Sequence, residues 1–163
     1  VTERKIRLFG DPVLKTVSDP IDKIDAGVQG LVGDLVDSVR LPGRAGVAAP
    51  QIGVNLRAFS FNVDGEVGYL INPEIVELSG EPEMMEEGCL SVPGLWFPTR
   101  RYPFARARGT DLEGNEIEVS GTGVLAQALQ HETDHLDGML YLDRLDKPDR
   151  REALRRIRQS EWF

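Results

Sequence analysis

His131 and His135 are the only histidines of this 163-residue chain, and they stand four apart in "QHETDHLDG" (130–138), with Glu132 directly after the first. On a helix, residues four apart share one face, one turn above the other, so both imidazoles can point at a single ion. Glu132 is rotated to the side of that face, where a carboxylate can touch a water on the metal without ligating the metal. H-E-x-x-H on a helix is the arrangement of metal hydrolases, with the glutamate as general base. The alternative is an exposed helix carrying two unrelated histidines. Val124, Ala128, His131 and His135 fall on one stripe, and small apolar residues there can line a pocket beside a metal.

A catalytic zinc-type site takes three protein ligands and leaves one position for water. The extended motif H-E-x-x-H-x-x-G-x-x-H has its glycine here, Gly138, but Tyr141 stands where the third histidine belongs. Downstream, only Glu152 and Glu161 could supply a carboxylate, and both lie in a polar terminal segment. Cys89, the one cysteine, sits upstream in "EEGCLSVPG" (86–94). A thiolate is a strong ligand for zinc or ferrous iron. Gly88 permits a close backbone approach, and Pro93 with Gly94 predicts a turn after the cysteine. Taken alone, Cys89 reads as a buried small hydrophobe slightly ahead of a metal ligand, with a reactive thiol as a further reading.

The elements that must carry these residues are legible in outline. Residues 122–138 predict the best helix of the chain, with Thr122 as N-cap and Gly138 just past its end. Apolar residues at helical spacing predict another helix within 19–43, capped by Asp19 or Asp25 and ended by Pro42-Gly43. Residues 56–78 alternate around Asp64-Gly65 and predict a hairpin; 98–121 predict a second, turning at "EGN". A last helix is expected near 148–160. No internal repeat, low-complexity tract or long linker divides the chain, so we expect one α+β domain over 1–163, with 147–163 as its C-terminal helix.

Composition narrows the classes. The chain is 40% hydrophobic and 28% charged, as in soluble globular proteins. No apolar run approaches the roughly 18–20 residues of a membrane span, and the start "VTERKIRLFGD" lacks a signal-peptide layout. We therefore expect a cytoplasmic protein. Net charge is −8, which argues against DNA as a partner, because phosphate contacts need a basic footprint.

Three segments, "RAGVAAPQIG" (44–53), "EGCLSVPG" (87–94) and "QHETDHLDG", together resemble the signature motifs of bacterial peptide deformylases in order and spacing. "GDPVL" (10–14) resembles that family's N-terminal segment, and the resemblance spans roughly residues 6 to 143. It implies a compact fold with the H-E-x-x-H helix packed between antiparallel sheets. It implies hydrolysis of the N-formyl group from the initiator N-formylmethionine of new polypeptides, with release of formate. It also implies a divalent metal, Fe(2+) in cells, with Zn(2+), Ni(2+) or Co(2+) as substitutes.

By position, Cys89, His131 and His135 match the metal ligands and Glu132 the catalytic acid/base. Gln51 matches the glutamine whose amide faces the formyl oxygen, and Leu90 the residue whose backbone N–H is the second oxyanion donor. Gly46 matches the glycine whose backbone contacts substrate; Val47 beside it, with Val124 and Ala128, is expected at the substrate. Arg44 stands where the first motif often has its leading glycine, and Ala45 and Val47 replace larger aliphatic residues. These departures bear on the shape of the methionine pocket, not on the chemistry.

Other features carry bland readings beside functional ones. The acidic stretch 77–88 reads as a solvated loop or strand edge, except Glu87, which is expected to pair with Arg100 or Arg101 and hold the Cys89 loop. Trp96 and Phe97 form either an apolar lip at the substrate or an aromatic pair anchored in the core. The helix at 146–159 carries five arginines; it either covers the core or docks on the ribosome. The competing functions are a zinc endopeptidase, disfavoured by Cys89 in place of a third histidine or glutamate, and a non-catalytic protein with a structural metal, which would need a fourth protein ligand.

Overall fold

The computed structural model describes residues 4–163; the first three residues of the expected 1–163 domain and of the chain start lie outside them. In chain order the elements are α1 (Ala26–Val39), β1 (Gly46–Ala48), β2 (Ala58–Val63), β3 (Glu66–Ser79), β4 (Glu83–Cys89), β5 (Val92–Arg101), β6 (Phe104–Thr110), β7 (Glu116–Thr122), α2 (Gly123–Leu136) and α3 (Lys147–Gln159). Five strands form one antiparallel sheet in the order β1-β2-β3-β6-β7, and β4 with β5 forms a separate hairpin. Helices and antiparallel sheets together make the α+β class expected.

The first hairpin turns at Asp64 and Gly65, both at positive φ (54° and 82°), as a two-residue turn matched to strand twist requires. The second differs from expectation. It runs from β6 to β7 around Asp111–Asn115, where Asp111 Oδ1 accepts from the N–H groups of Glu113 and Asn115. Residues 98–101 belong instead to β5. The acidic stretch becomes the end of β3 and β4, and β4 pairs with β5 alone. The chain reverses after Cys89 at Leu90–Ser91, not at Pro93-Gly94. Those two residues lie in β5, where the register jumps from Cys89–Val92 to Gly88–Trp96 and three residues bulge out.

α1 is shorter than the expected segment. Its N-cap is Asp25, whose Oδ1 accepts from Val28 N at 3.0 Å. Residues 19–25 are not helical, because Pro20 steers Asp19 from the α region and Asn72 grips Ile21 through both its N–H and its C=O at 2.8 Å. α2 starts after Thr122, which caps without a side-chain bond, and ends before Gly138 at φ 75°.

Alternation along the central strands divides the core. Val47, Ala58 and Ile71 face α1 with Leu31, Leu35 and Val39. Ala48, Phe59, Leu70, Ala105 and Ala107 face α2 with Ala126, Leu129 and Leu136. On the hairpin side, Val92, Leu95 and Phe97 pack with Leu140–Leu142 and with Ala153 and Ile157 of α3. α2 is thus held between the large sheet and the hairpin. From Leu129 to Leu136 only Thr133 is not buried, so its polar residues must find partners inside the protein.

Candidate metal centre

The buried end of α2 presents His131 and His135 on one face, and β4 delivers Cys89 beside them. His131 Nε2 and His135 Nε2 are 3.2 Å apart, and Cys89 Sγ is 3.4 Å from His135 Nε2. The three donor atoms lie within 4.8 Å of one another. Metal–nitrogen bonds of about 2.0–2.1 Å and metal–sulfur bonds of about 2.3 Å at tetrahedral angles separate nitrogens by about 3.3 Å and nitrogen from sulfur by about 3.6 Å. The residues therefore fit a divalent ion. The described residues bring no fourth donor into the set, which is the count of a catalytic rather than a structural site.

The ring of His131 is oriented from behind. Its Nδ1 lies 2.6 Å from Glu87 Oε2. A carboxylate only accepts, so Nδ1 carries a proton and Nε2 is the nitrogen left for an ion, which takes the place of any second proton there. Glu87 is held by Arg101, whose Nε and Nη2 donate to Oε1 and Oε2 at 2.9 and 2.5 Å. Burial works against the Glu87 charge, yet the bonds from Arg101 and His131 hold its pKa down at about 2. Burial also disfavours a charge on His131, but the neighbouring Glu132, Cys89 and Glu87 hold its pKa well above the usual value. Such surroundings attract a cation. The ring of Tyr141 stacks on His131 at 6.4 Å, and its hydroxyl donates to Leu95 O at 3.3 Å. Tyr141 thus supports the site and replaces no ligand. Glu152 and Glu161 are not in the donor set; Glu152 is bound by Arg155 and Arg156.

Glu132 is buried, with Oε2 4.0 Å from His131 Nε2 and Oε1 without a hydrogen-bond partner among the described residues. Burial pushes its pKa up to about 7, near the value that suits a general base at neutral pH. Gly46 packs directly on this carboxylate: a Cβ there would stand 2.5 Å from Oε2.

Gln51 is buried in a short 3-10 helix, Ala49–Ile52. Its Oε1 accepts from Ala48 N at 3.0 Å, which turns Nε2 toward the centre. Nε2 donates to Ser91 Oγ at 3.1 Å and stands 3.8 Å from Cys89 Sγ. Ser91 is a participant that sequence reasoning missed, although it lies inside the quoted cysteine motif. Arg101 and not Arg100 is the partner of Glu87, and Asp134, also missed, binds Arg101 from the other side at 2.8 Å.

A cleft of about 430 Å³ opens onto these groups, bordered by Gly46, Gln51, Leu90, Val124, Ala128 and Trp96 among others. Val124 is 52% exposed at its mouth and Ala128 is buried in its wall. Val47 is not part of it. Strand alternation turns Gly46 and Ala48 toward α2 and sends Val47, fully buried, into the core under α1. The same parity separates the aromatic pair: Trp96, 60% exposed, lies over Gly88 and borders the cleft, whereas Phe97 is buried beneath Arg156. Arg44 also borders the cleft, and its guanidinium donates to Ser38 O at 3.0 Å.

The polypeptide deformylase family model matches residues 3–151. A peptide deformylase of Parafrankia sp. is 51% identical over 98% of this chain and 87% of that protein. One from Acidothermus cellulolyticus is 48% identical over 98% and 88%. The crystal structure of a peptide deformylase from Legionella pneumophila superposes with a TM-score of 0.90 at 37% identity, covering 97% of this chain and 95% of that one.

Proposed function

The chain belongs to the polypeptide deformylase family, and from that membership we propose how its own residues share the removal of the N-formyl group from newly made polypeptides. The protein is a hydrolase of that group. The endopeptidase alternative finds no support among its relatives, and the donor set contains Cys89 where that alternative requires a histidine or glutamate. The observation that carries the division of roles is the convergence of Cys89, His131 and His135 beside a buried, unpaired carboxylate oxygen of Glu132.

Cys89, His131 and His135 hold the ion, and Glu87 fixes His131 in the tautomer that can bind it. When bound, a divalent ion supplies Lewis acidity and a water of lowered pKa. Glu132 takes the proton of the attacking water and passes it to the amine as the carbon–nitrogen bond breaks and formate leaves. Gln51 Nε2 has two hydrogens; Ser91 Oγ takes one, and the other, which points to Cys89 Sγ at 3.8 Å, turns to the developing oxyanion together with the Leu90 N–H. Gly46 offers its backbone to the peptide, and Val124 and Ala128 wall the methionine side chain.

The ion in cells is read as Fe(2+), with Zn(2+), Ni(2+) or Co(2+) able to replace it, because a mixed thiolate and imidazole set suits each of them. We take the whole chain as one cytoplasmic domain acting on N-formylmethionyl nascent chains. No helix of the described residues is long and apolar enough to cross a membrane. α3 is the candidate for ribosome contact: Ala153 and Ile157 anchor it, and Arg151 and Arg158 are exposed on it. Unchanged ribosome co-sedimentation of an Arg151→Glu, Arg158→Glu variant would remove that contact. The roles as a whole are tested by formate release from formyl-Met-Ala with no internal cleavage of longer peptides.

A further inference from the structure

We propose that Arg144, outside the cleft, is a positioning residue for the metal centre and acts on it through a buried chain of side chains ending at His131. The inference rests on reading Cys89, His131 and His135 as ligands. Arg144 ends the short 3-10 helix Tyr141–Arg144, and its side chain is 41% exposed. It borders a second cleft, lined by Gln130, Thr133 and Asp134 of α2 and by Asp137 just past its end. That is the face of α2 opposite the one lined by Val124, Ala128, His131 and Glu132.

Its guanidinium grips Asp134 with two bonds, Nε to Oδ2 at 2.6 Å and Nη2 to Oδ1 at 2.8 Å. Asp134 Oδ2 also accepts from Arg101 Nη1 at 2.8 Å, and Arg101 Nε and Nη2 donate to Glu87. Glu87 in turn receives the His131 Nδ1 proton. Asp134 and His131 both sit on α2, Glu87 on β4 and Arg101 on β5. The bonds therefore close a ring that sets the hairpin against the helix, and Cys89 lies two residues beyond Glu87 on the same strand. A planar guanidinium held at both ends cannot rotate; freed at the Asp134 end, it holds Glu87 less well. Arg144 is the clamp on that ring from outside.

Charge alone predicts the opposite effect. Removing a cation near the centre should tighten metal binding, and a lysine should leave it unchanged. Positioning predicts that both substitutions weaken it, since neither can form the fork. The test uses the full apo chain, Co(2+) titrated against a competing chelator, and the visible d–d bands of the Co(2+) form. Groups bonded directly to ligands typically contribute 10–100-fold to affinity; one step further out, Arg144→Lys should weaken Co(2+) binding by about threefold to tenfold and shift the bands. In a Glu87→Gln background, Arg144→Lys should add less than about twofold, because one amide oxygen cannot serve Arg101 and His131 as the two carboxylate oxygens do, and the path to His131 is already broken at one of its bonds. An unchanged affinity and spectrum, tighter binding in Arg144→Met, or a fully additive loss on Glu87→Gln would each overturn the proposal. If Arg144→Met does not fold, Arg144→Lys decides alone. A wild-type chain that binds no Co(2+), or binds it equally after Cys89→Ala, overturns the ligand reading itself and the proposal with it.

Discussion

Gly46 on β1 and Glu132 on α2 are packed so closely that a Cβ on Gly46 would stand 2.5 Å from Glu132 Oε2 and 2.8 Å from its Cγ. Gly46 is not among the residues at positive φ, so alanine suits the backbone and the strain falls on the carboxylate. Displacing a reacting group by about 1 Å can cost on the order of 10²-fold. Gly46→Ala should lower kcat by about that factor with metal content near wild type, and the overpacked contact should also lower the thermal unfolding midpoint. An unchanged kcat would show that the carboxylate has room to spare.

Glu132 is outside the donor set and Cys89 is inside it. Glu132→Ala should keep a full equivalent of metal and lose nearly all formate release. Cys89→Ala should lose the metal. Metal analysis beside a formate assay separates the two, and full activity in Glu132→Ala would sink the proton-transfer role.

Gln51→Leu removes the amide that Ser91 and Ala48 orient. One oxyanion donor contributes on the order of 10²–10³ in rate, so kcat should fall in that range with metal retained. The Ala48 N–H also loses its acceptor, which destabilises the fold by about 1–3 kcal/mol. Chemical denaturation would register that second effect independently of activity.

Glu152 on α3 is held at a pKa of about 2 by hydrogen bonds from Arg155 and Arg156. Its folded value is below the ordinary 4.5, so its contribution to stability is complete above pH 4.5 and is lost as pH falls through about 2. A carboxyl NMR titration should find the low midpoint in the wild type and a return toward the ordinary value in an Arg155→Gln, Arg156→Gln double variant. A wild-type midpoint already near the ordinary value would contradict the paired geometry.

Ferrous iron beside a thiolate is open to oxidation. Fe(2+)-loaded enzyme should lose activity faster in air than under argon, whereas the Co(2+)-loaded form should lose it at similar rates in both. Equal half-lives for the iron form in the two atmospheres would contradict oxidation at the site.

What the sequence determined by itself is what depends on near neighbours. The four-residue spacing put His131 and His135 on one helix face and left Glu132 beside it, because helical periodicity is local. The Asp64-Gly65 turn was legible for the same reason, and the helix cap was narrowed to Asp19 or Asp25. The order of three motifs pointed to the family, and with it to Cys89, Gln51 and Gly46 as participants. Strand parity was not legible. Trp96 with Phe97, Arg100 with Arg101, and Gly46 with Val47 are adjacent residues, and one step along a strand exchanges cleft for core. Only packing chose Trp96 for the cleft, Arg101 for Glu87 and the core for Val47. Nor could any local pattern show that β4 lies against α2, so the bonds from His131 to Glu87 and from Arg101 to Asp134 came from the tertiary structure alone, and only the Glu87–Arg101 leg of the ring was among the expected pairings. Contacts between residues 33 and 44 positions apart are decided by how sheet and helix share a core, a property of the whole chain and not of any segment.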